Sequence, residues 1–190
     1  MPILNLATHD ADRGTVAVRW RFDLDPEMVW TGLTDPVWLR RWLGTPLGGF
    51  AVGEPVGPGG TIRLDHGDGL VQTSVVRGCR LWRHLEVTWA FPGEPLSVVD
   101  VTLEPAGPID AAARPFVADP VLAAAGEAAG ATASGTDLTL SHLGVGAQAR
   151  EYAIAWHTHL LYLAAALRAS PMPLDRFWEV HERVARAYYR

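Results

Sequence analysis

One long stretch of this chain has a different period from the patterned strands before it. From Gln148 to Arg168 apolar residues recur every 3.6 positions, with Tyr152, Trp156, Leu160, Leu163 and Leu167 on one stripe and Ala153 and Ala164 beside it. Every earlier patterned run alternates with period two. The clearest is Thr15 to Leu24, with Val16, Val18, Trp20, Phe22 and Leu24 on one face and Thr15, Arg19, Arg21 and Asp23 on the other. Strand-like runs follow at 61–65, 70–77, 81–91, 96–104 and 136–142, separated by turn signals such as His66-Gly67-Asp68-Gly69 and Phe91-Pro92-Gly93-Glu94. Gaps this short join antiparallel strands, because parallel neighbours need a long crossover. A single long amphipathic helix after an antiparallel meander buries its stripe by lying across the sheet. The patterning therefore predicts an α+β fold of two layers.

Between the first strand and the meander, Asp25-Pro26 and Asp35-Pro36 each read as a helix start: Asp at the N-cap accepts a free backbone N–H, and Pro at the first helical position has none to lose. Two short helices, 26–33 and 36–43, are expected, closed by Gly44. Residues 45–60 hold six glycines and three prolines and read as turns. Residues 105–134 are mostly Ala, Gly and Pro, too long a span for a hairpin turn. They read first as a tolerated insertion, with Asp119-Pro120 opening one or two helical turns, and secondly as a lid over a pocket mouth. After Ser170-Pro171-Met172-Pro173, residues 175–189 form a further amphipathic helix with Phe177, Val180, Val184 and Tyr188 on one side. The expected organisation is an N-terminal extension over 1–14, one domain over 15–169 interrupted by 105–134, and a helical extension over 170–190.

Bulk properties exclude several functions. A net charge of −5 opposes nucleic-acid binding, which needs a concentrated positive field. All sixteen basic residues are arginine, so no lysine Schiff base or P-loop can be built. Cys79 is the only cysteine, which removes intramolecular disulfides and thiolate zinc clusters. The N-terminus lacks the pattern of a signal peptide, and the longest apolar stretch, Leu160 to Leu167, is far too short to span a bilayer. A cytoplasmic protein without membrane insertion is expected.

DPEMVWTGLTDPVWLRRWLG, residues 25–44, resembles the segment that follows the first strand in the activator of Hsp90 ATPase homologue 1-like family, within the START-like (Bet v 1-like, SRPBCC) superfamily of helix-grip proteins. RHLEVTWAFPGEP resembles the family's central strand, TDLTLSHLGV its last strand and AWHTHLLYLAAAL the start of its long C-terminal helix. The resemblance spans roughly residues 15–168. The chain departs from the pattern in the 105–134 insertion and in its last twenty residues. The resemblance implies a curved antiparallel sheet of about six to seven strands wrapped around the long helix, two short helices after the first strand, and a cavity between sheet and helix. Members of the superfamily bind lipids, hormones and other apolar molecules, and some are aromatase/cyclases or hydroxylase components. Fold alone does not choose among these.

On that frame Trp20, Trp30, Trp42, Trp89, Val101, Leu140, His142, Trp156 and Leu160 are the candidate ligand-binding residues. Each tryptophan also serves as core filler, burying about 150–250 Å². His142 shares a strand face with Leu138 and Leu140, and a lone histidine so placed is most often a satisfied structural group. It is the one weak candidate for acid–base catalysis. His157 and His159 project about 200° apart on a helix and cannot share a metal. Cys79 falls in a turn between Gly78 and Arg80. Asp100, Glu104 and Asp137 face outward. No metal or cofactor site is proposed, since neither G-x-S-x-G nor G-x-G-x-x-G occurs. The preferred reading is a protein binding an apolar or aromatic small molecule. The alternatives are a cyclase/aromatase-like or hydrolytic enzyme using His142, and a co-chaperone-like interaction module. A homodimer stays open because Leu161 and Tyr162 lie off the main helical stripe.

Overall fold

The computed structural model describes residues 3–48, 57–67, 69–107, 114–115 and 135–188. The alternation after Gly14 folds as β3 (Thr15–Phe22), with Val16, Val18, Trp20 and Phe22 all buried. Its outer neighbour is β2 (Leu6–Asp10), so the expected N-terminal extension over 1–14 supplies an edge strand of the sheet. The Asp10 carboxylate makes the turn between them by accepting the backbone N–H of Asp12 at 3.1 Å and of Arg13 at 3.0 Å.

Both Asp-Pro pairs start helices, α1 (Pro26–Thr34) and α2 (Pro36–Leu39). Asp35 caps α2 by accepting the Val37 N–H at 2.7 Å, whereas the Asp25 carboxylate makes no capping bond to α1. α2 ends four residues early and continues as turns to Gly44. There Trp42 Nε1 donates to the Gly32 carbonyl at 2.8 Å, pinning the turns to α1. Gly32 itself is a contact point: a Cβ added there would lie 2.9 Å from methyl carbons of both Leu163 and Leu167.

The main sheet has eight strands, in the order β2-β3-β10-β8-β7-β6-β5-β4, all neighbours antiparallel. The remaining members are β4 (Thr45–Pro46), β5 (Thr61–Asp65), β6 (Val71–Arg80), β7 (His84–Trp89), β8 (Ser97–Ala106) and β10 (Gly135–Leu143). The count exceeds the expected six to seven because short strands are added at both edges. β6 outruns its expected end, since a bulge between Val76 and Gly78 lets pairing resume. Cys79 consequently pairs with Leu85 inside the strand and does not lie in the turn. A separate parallel ribbon joins β1 (Ile3–Leu4) to β9 (Arg114–Pro115). Apart from 105–107 and β9, the segment 105–134 on which the lid reading falls lies outside the described residues, as do the helical turns after Asp119-Pro120.

The 3.6-residue stripe folds as α3 (Ala149–Leu167), and α4 (Phe177–Tyr188) packs on its far side. That second contact corrects one expectation. Leu161 and Tyr162 are buried, at 5% and 0% exposure, because the chain after α3 covers them. The Tyr162 hydroxyl donates to the Pro173 carbonyl at 3.1 Å, and its ring lies 5.6 Å from Phe177. A dimer cannot use these two residues. Val180 and Val184 of α4 are buried as well, each stabilising the packing by about 1.5–3 kcal/mol. An Arg168–Asp23 ion pair at 2.9 Å ties the end of α3 to the segment after β3. Among the described residues, no helix is long and apolar enough to cross a membrane.

Candidate ligand-binding site

Inward side chains of β5 to β8 and β10 face Trp156 and Leu160 of α3, and α1 and the turns after α2 close the end with Trp30 and Trp42. Between them lies a cavity of about 80 Å³. Seven of the nine expected ligand-binding residues line it: Trp30, Trp42, Trp89, Val101, Leu140, Trp156 and Leu160. Trp20 does not. It sits on β3, toward the far edge of the sheet, where its ring meets His157 edge-on at 5.2 Å. His142 does not line it either. The volume is below the roughly 150 Å³ of an apolar cavity that admits benzene, so this space takes a small group and not a ring system.

A larger space lies beside the cavity. This cleft of about 670 Å³ has Leu43, Trp89 and Trp156 in common with the cavity lining, so these side chains form the boundary between the two. Its walls are the first half of α3, the turn around His66, the Phe91–Glu94 turn and the segment from Leu174 to His181. Aromatic rings pave it: His66 lies 5.0 Å from Phe91 and 6.2 Å from Trp89, and His159 lies 4.6 Å from Phe177. Trp178 stands at the lip, 71% exposed. Four carboxylates, Asp65, Glu94, Glu151 and Asp175, also line the cleft, and no arginine among the described residues does. All four are absent from the ion pairs of the described residues. Sequence reasoning missed His66, His159, Phe177, Trp178 and His181 because they belong to a turn, to the helix flank and to the supposed extension. The available signal was the aromatic density of RFWEVH beside a proline-rich break.

His142 is fully buried and both of its ring nitrogens are occupied. Trp156 Nε1 donates to Nδ1 at 3.1 Å, which places the proton of the neutral ring on Nε2. Nε2 then donates to Ser97 Oγ at 2.8 Å, and Ser97 donates to the Trp89 carbonyl at 3.0 Å. Burial pushes the His142 pKa down to about 3, so the ring is neutral at physiological pH. His159 donates from Nδ1 to the Trp42 carbonyl at 2.8 Å, leaving Nε2 as an acceptor at the cleft floor. Burial lowers its pKa to about 3 against the opposing effect of that bond. Burial likewise lowers His66 to about 4 although Asp65 pulls it upward, and His66 Nε2 is buried without a partner. Tyr152 donates to Glu94, and burial followed by that carboxylate raises the phenol well above its ordinary pKa.

Three polar side chains interrupt the apolar wall of the inner cavity, and one of them, Thr34, donates its hydroxyl to the Trp30 carbonyl at 2.9 Å. Gln72 Nε2 donates to Ser74 Oγ, and Gln72 Oε1 is buried without a partner. Trp89 Nε1, near enough to the Tyr152 phenol to ease its shift, makes no hydrogen bond of good geometry. On the outer face His84, Glu86 and Asp100 bring ligand atoms within 4.8 Å of one another. Their own pairing accounts for the cluster, His84 with Asp100 at 2.6 Å and Glu86 with Arg77 at 2.9 Å.

An antiparallel sheet closed over one long helix, with an aromatic-lined space between them, defines a helix-grip protein. Residues 23–109 match the family model described as Activator of Hsp90 ATPase homolog 1-like protein. Solved structures with the same fold include CalU16 from Micromonospora echinospora, 22% identical with a TM-score of 0.59 and 98% of each chain covered. The protein encoded by gene BPP1335 from Bordetella parapertussis is 21% identical with a TM-score of 0.61, covering 100% of this chain and 92% of that one. DynU16, described as a putative protein in the dynemicin biosynthetic locus, is 22% identical with a TM-score of 0.59. There the match covers 83% of this chain but 48% of the other. Comparison with curated proteins gives no match.

Proposed function

We propose that this protein binds an apolar or aromatic small molecule, neutral or cationic, with its body in the cleft and one small end in the inner cavity. The observation that carries this reading is the shared lining at Leu43, Trp89 and Trp156, which sets a 670 Å³ aromatic cleft directly beside the 80 Å³ cavity. Flat apolar ligands are held by such walls through burial and ring contacts. The carboxylates around the cleft, uncompensated by arginine in its lining, disfavour anions. Trp30, Trp42, Trp89, Val101, Leu140, Trp156 and Leu160 are the expected ligand-binding residues, joined by Phe177, Trp178 and His159 at the mouth. A structural neighbour from a biosynthetic locus accords with a small-molecule role, although at 22% identity it speaks for fold alone.

The enzyme reading through His142 is not favoured. Both nitrogens of that ring are bonded within the protein, and the residue lines neither space. Native mass spectrometry of the purified protein, seeking a co-purified small molecule, tests the binding reading. So does titration with neutral apolar probes while following tryptophan emission, since Trp89 and Trp156 line both spaces. Emission unchanged by every probe, with no retained ligand, overturns it.

A further inference from the structure

Gln72 and Ser74 point inward from β6 into a cavity walled otherwise by apolar side chains, by Cys79 and by Thr34, whose hydroxyl is spent on the Trp30 carbonyl. They are 0% and 2% exposed and bonded to each other, and the Gln72 amide oxygen is left without a partner. With the amide nitrogen toward Ser74, the free valences are the amide oxygen, the second amide N–H and the serine hydroxyl proton. With the amide turned over, Ser74 donates to the amide oxygen, and the free valences are both amide N–H groups and a serine lone pair. Either way the pair keeps at least one donor and one acceptor. A hydroxyl group supplies both complements from a single atom. A carboxylate brings two acceptors and a charge with no cation to meet it, an ammonium brings donors only, and an ether an acceptor only.

We infer that the inner cavity is a hydroxyl-recognition pocket, in which Gln72 and Ser74 select an apolar or aromatic ligand ending in a phenolic or alcoholic OH. This rests on the binding reading above and names the chemistry of the ligand's buried end. The volume agrees: about 80 Å³ admits a terminal group while the ring system stays in the cleft against Trp89 and Trp156. Buried groups built to bond a ligand hydroxyl discriminate strongly against analogues lacking it, because those analogues leave the protein's own polar atoms unpaired.

The test titrates the full chain calorimetrically with 2-naphthol, 2-methylnaphthalene and 2-methoxynaphthalene, which share one ring system and differ at one substituent. The wild-type protein is expected to bind 2-naphthol at least about tenfold more tightly than the other two. Gln72→Leu and the near-isosteric Gln72→Met are expected to bring the ratio to about one while still binding the methyl compound, and Ser74→Ala to lower it. Thermal unfolding of each variant establishes that it is folded, and three variants keep the test standing if one is not. Equal wild-type affinities, as a resident water on the pair produces, overturn the inference and leave the binding reading intact. A preference that survives in the folded Gln72 and Ser74 variants overturns it too. Failure of all three compounds to bind removes both readings together.

Discussion

Trp156 Nε1 and His142 Nδ1 lie 3.1 Å apart in a buried hydrogen bond that fixes which nitrogen of His142 carries the proton. Through His142 and Ser97 the bond runs on to the Trp89 carbonyl, so one polar chain links α3 to β10, β8 and β7. The chain also explains how a fully buried histidine persists among tryptophans: each of its polar atoms is satisfied. Trp156→Phe strands Nδ1 without a donor, and the lost bond alone should cost about 1–3 kcal/mol in urea unfolding. His142→Leu should be similarly destabilising. Because both act on one network, the double variant is expected to lose less than the sum of the singles, and strict additivity would refute the coupling.

Stability should fall as solutions are acidified from neutrality. His142, His157 and His159 have folded-state pKa values pushed down to about 3 by burial, and His66 to about 4, against 6.5 for a free histidine. The unfolded chain therefore takes up protons first. The stability these groups confer is fully present above pH 6.5 and is lost as the pH drops toward their folded values, by at most about 1.4 kcal/mol per pH unit for each. Urea midpoints at pH 7, 6 and 5 check this, before the carboxylates titrate. A His142→Leu background should show a shallower slope, and a profile flat over that range contradicts the argument.

The acidic lining of the cleft predicts selectivity by charge. 2-Naphthoate should bind more weakly than 2-naphthol, and Glu151→Gln with Asp175→Asn should narrow that gap. Added salt should narrow it as well, because both carboxylates are exposed and screened within about 10 Å at 0.1 M. Glu94 is kept out of this test since it holds the Tyr152 hydroxyl. A gap unmoved by salt or substitution argues that some other group sets it.

Trp178 separates stability from binding. At 71% exposure its side chain contributes little to the core, and Trp178→Ala should change unfolding free energy by no more than about 0.5 kcal/mol. It should nonetheless weaken a neutral aromatic probe several-fold, as loss of a stacking surface at the cleft lip requires. Unchanged affinity would remove α4 from the site.

The period-two runs and the single 3.6-residue stripe were enough to foresee the sheet, the helix and their contact, because both signals come from burial on one face. The edge strands β2 and β4 were not foreseeable in that way. Leu6–Asp10 has only Leu6 and Ala7 as apolar residues, and Thr45–Pro46 is two residues long, so neither shows a period. The cavity wall was mostly legible, since Trp89, Val101, Leu140, Trp156 and Leu160 occupy inward registers of long elements. Trp20 shares such a register yet misses the cavity, because period tells which face a residue takes and not how far along the sheet its strand lies. The cleft was hidden for a further reason: it is assembled from a turn, a helix flank and α4, which sequence separation gave no cause to bring together. Gln72 escaped notice because an inward glutamine next to Ser74 only becomes informative once its burial is known.

β10 enters the sheet between β3 and β8, strands made much earlier in the chain. Until residues 135–143 arrive, the N-terminal hairpin and the five-strand meander share no strand pairing among the described residues, and each exposes the edge that β10 will fill. Their joining waits for the ribosome to deliver a segment more than a hundred residues downstream of β3, and for α3 immediately behind it. Any product that terminates early is thus a pair of adhesive half-sheets and not a smaller version of the protein.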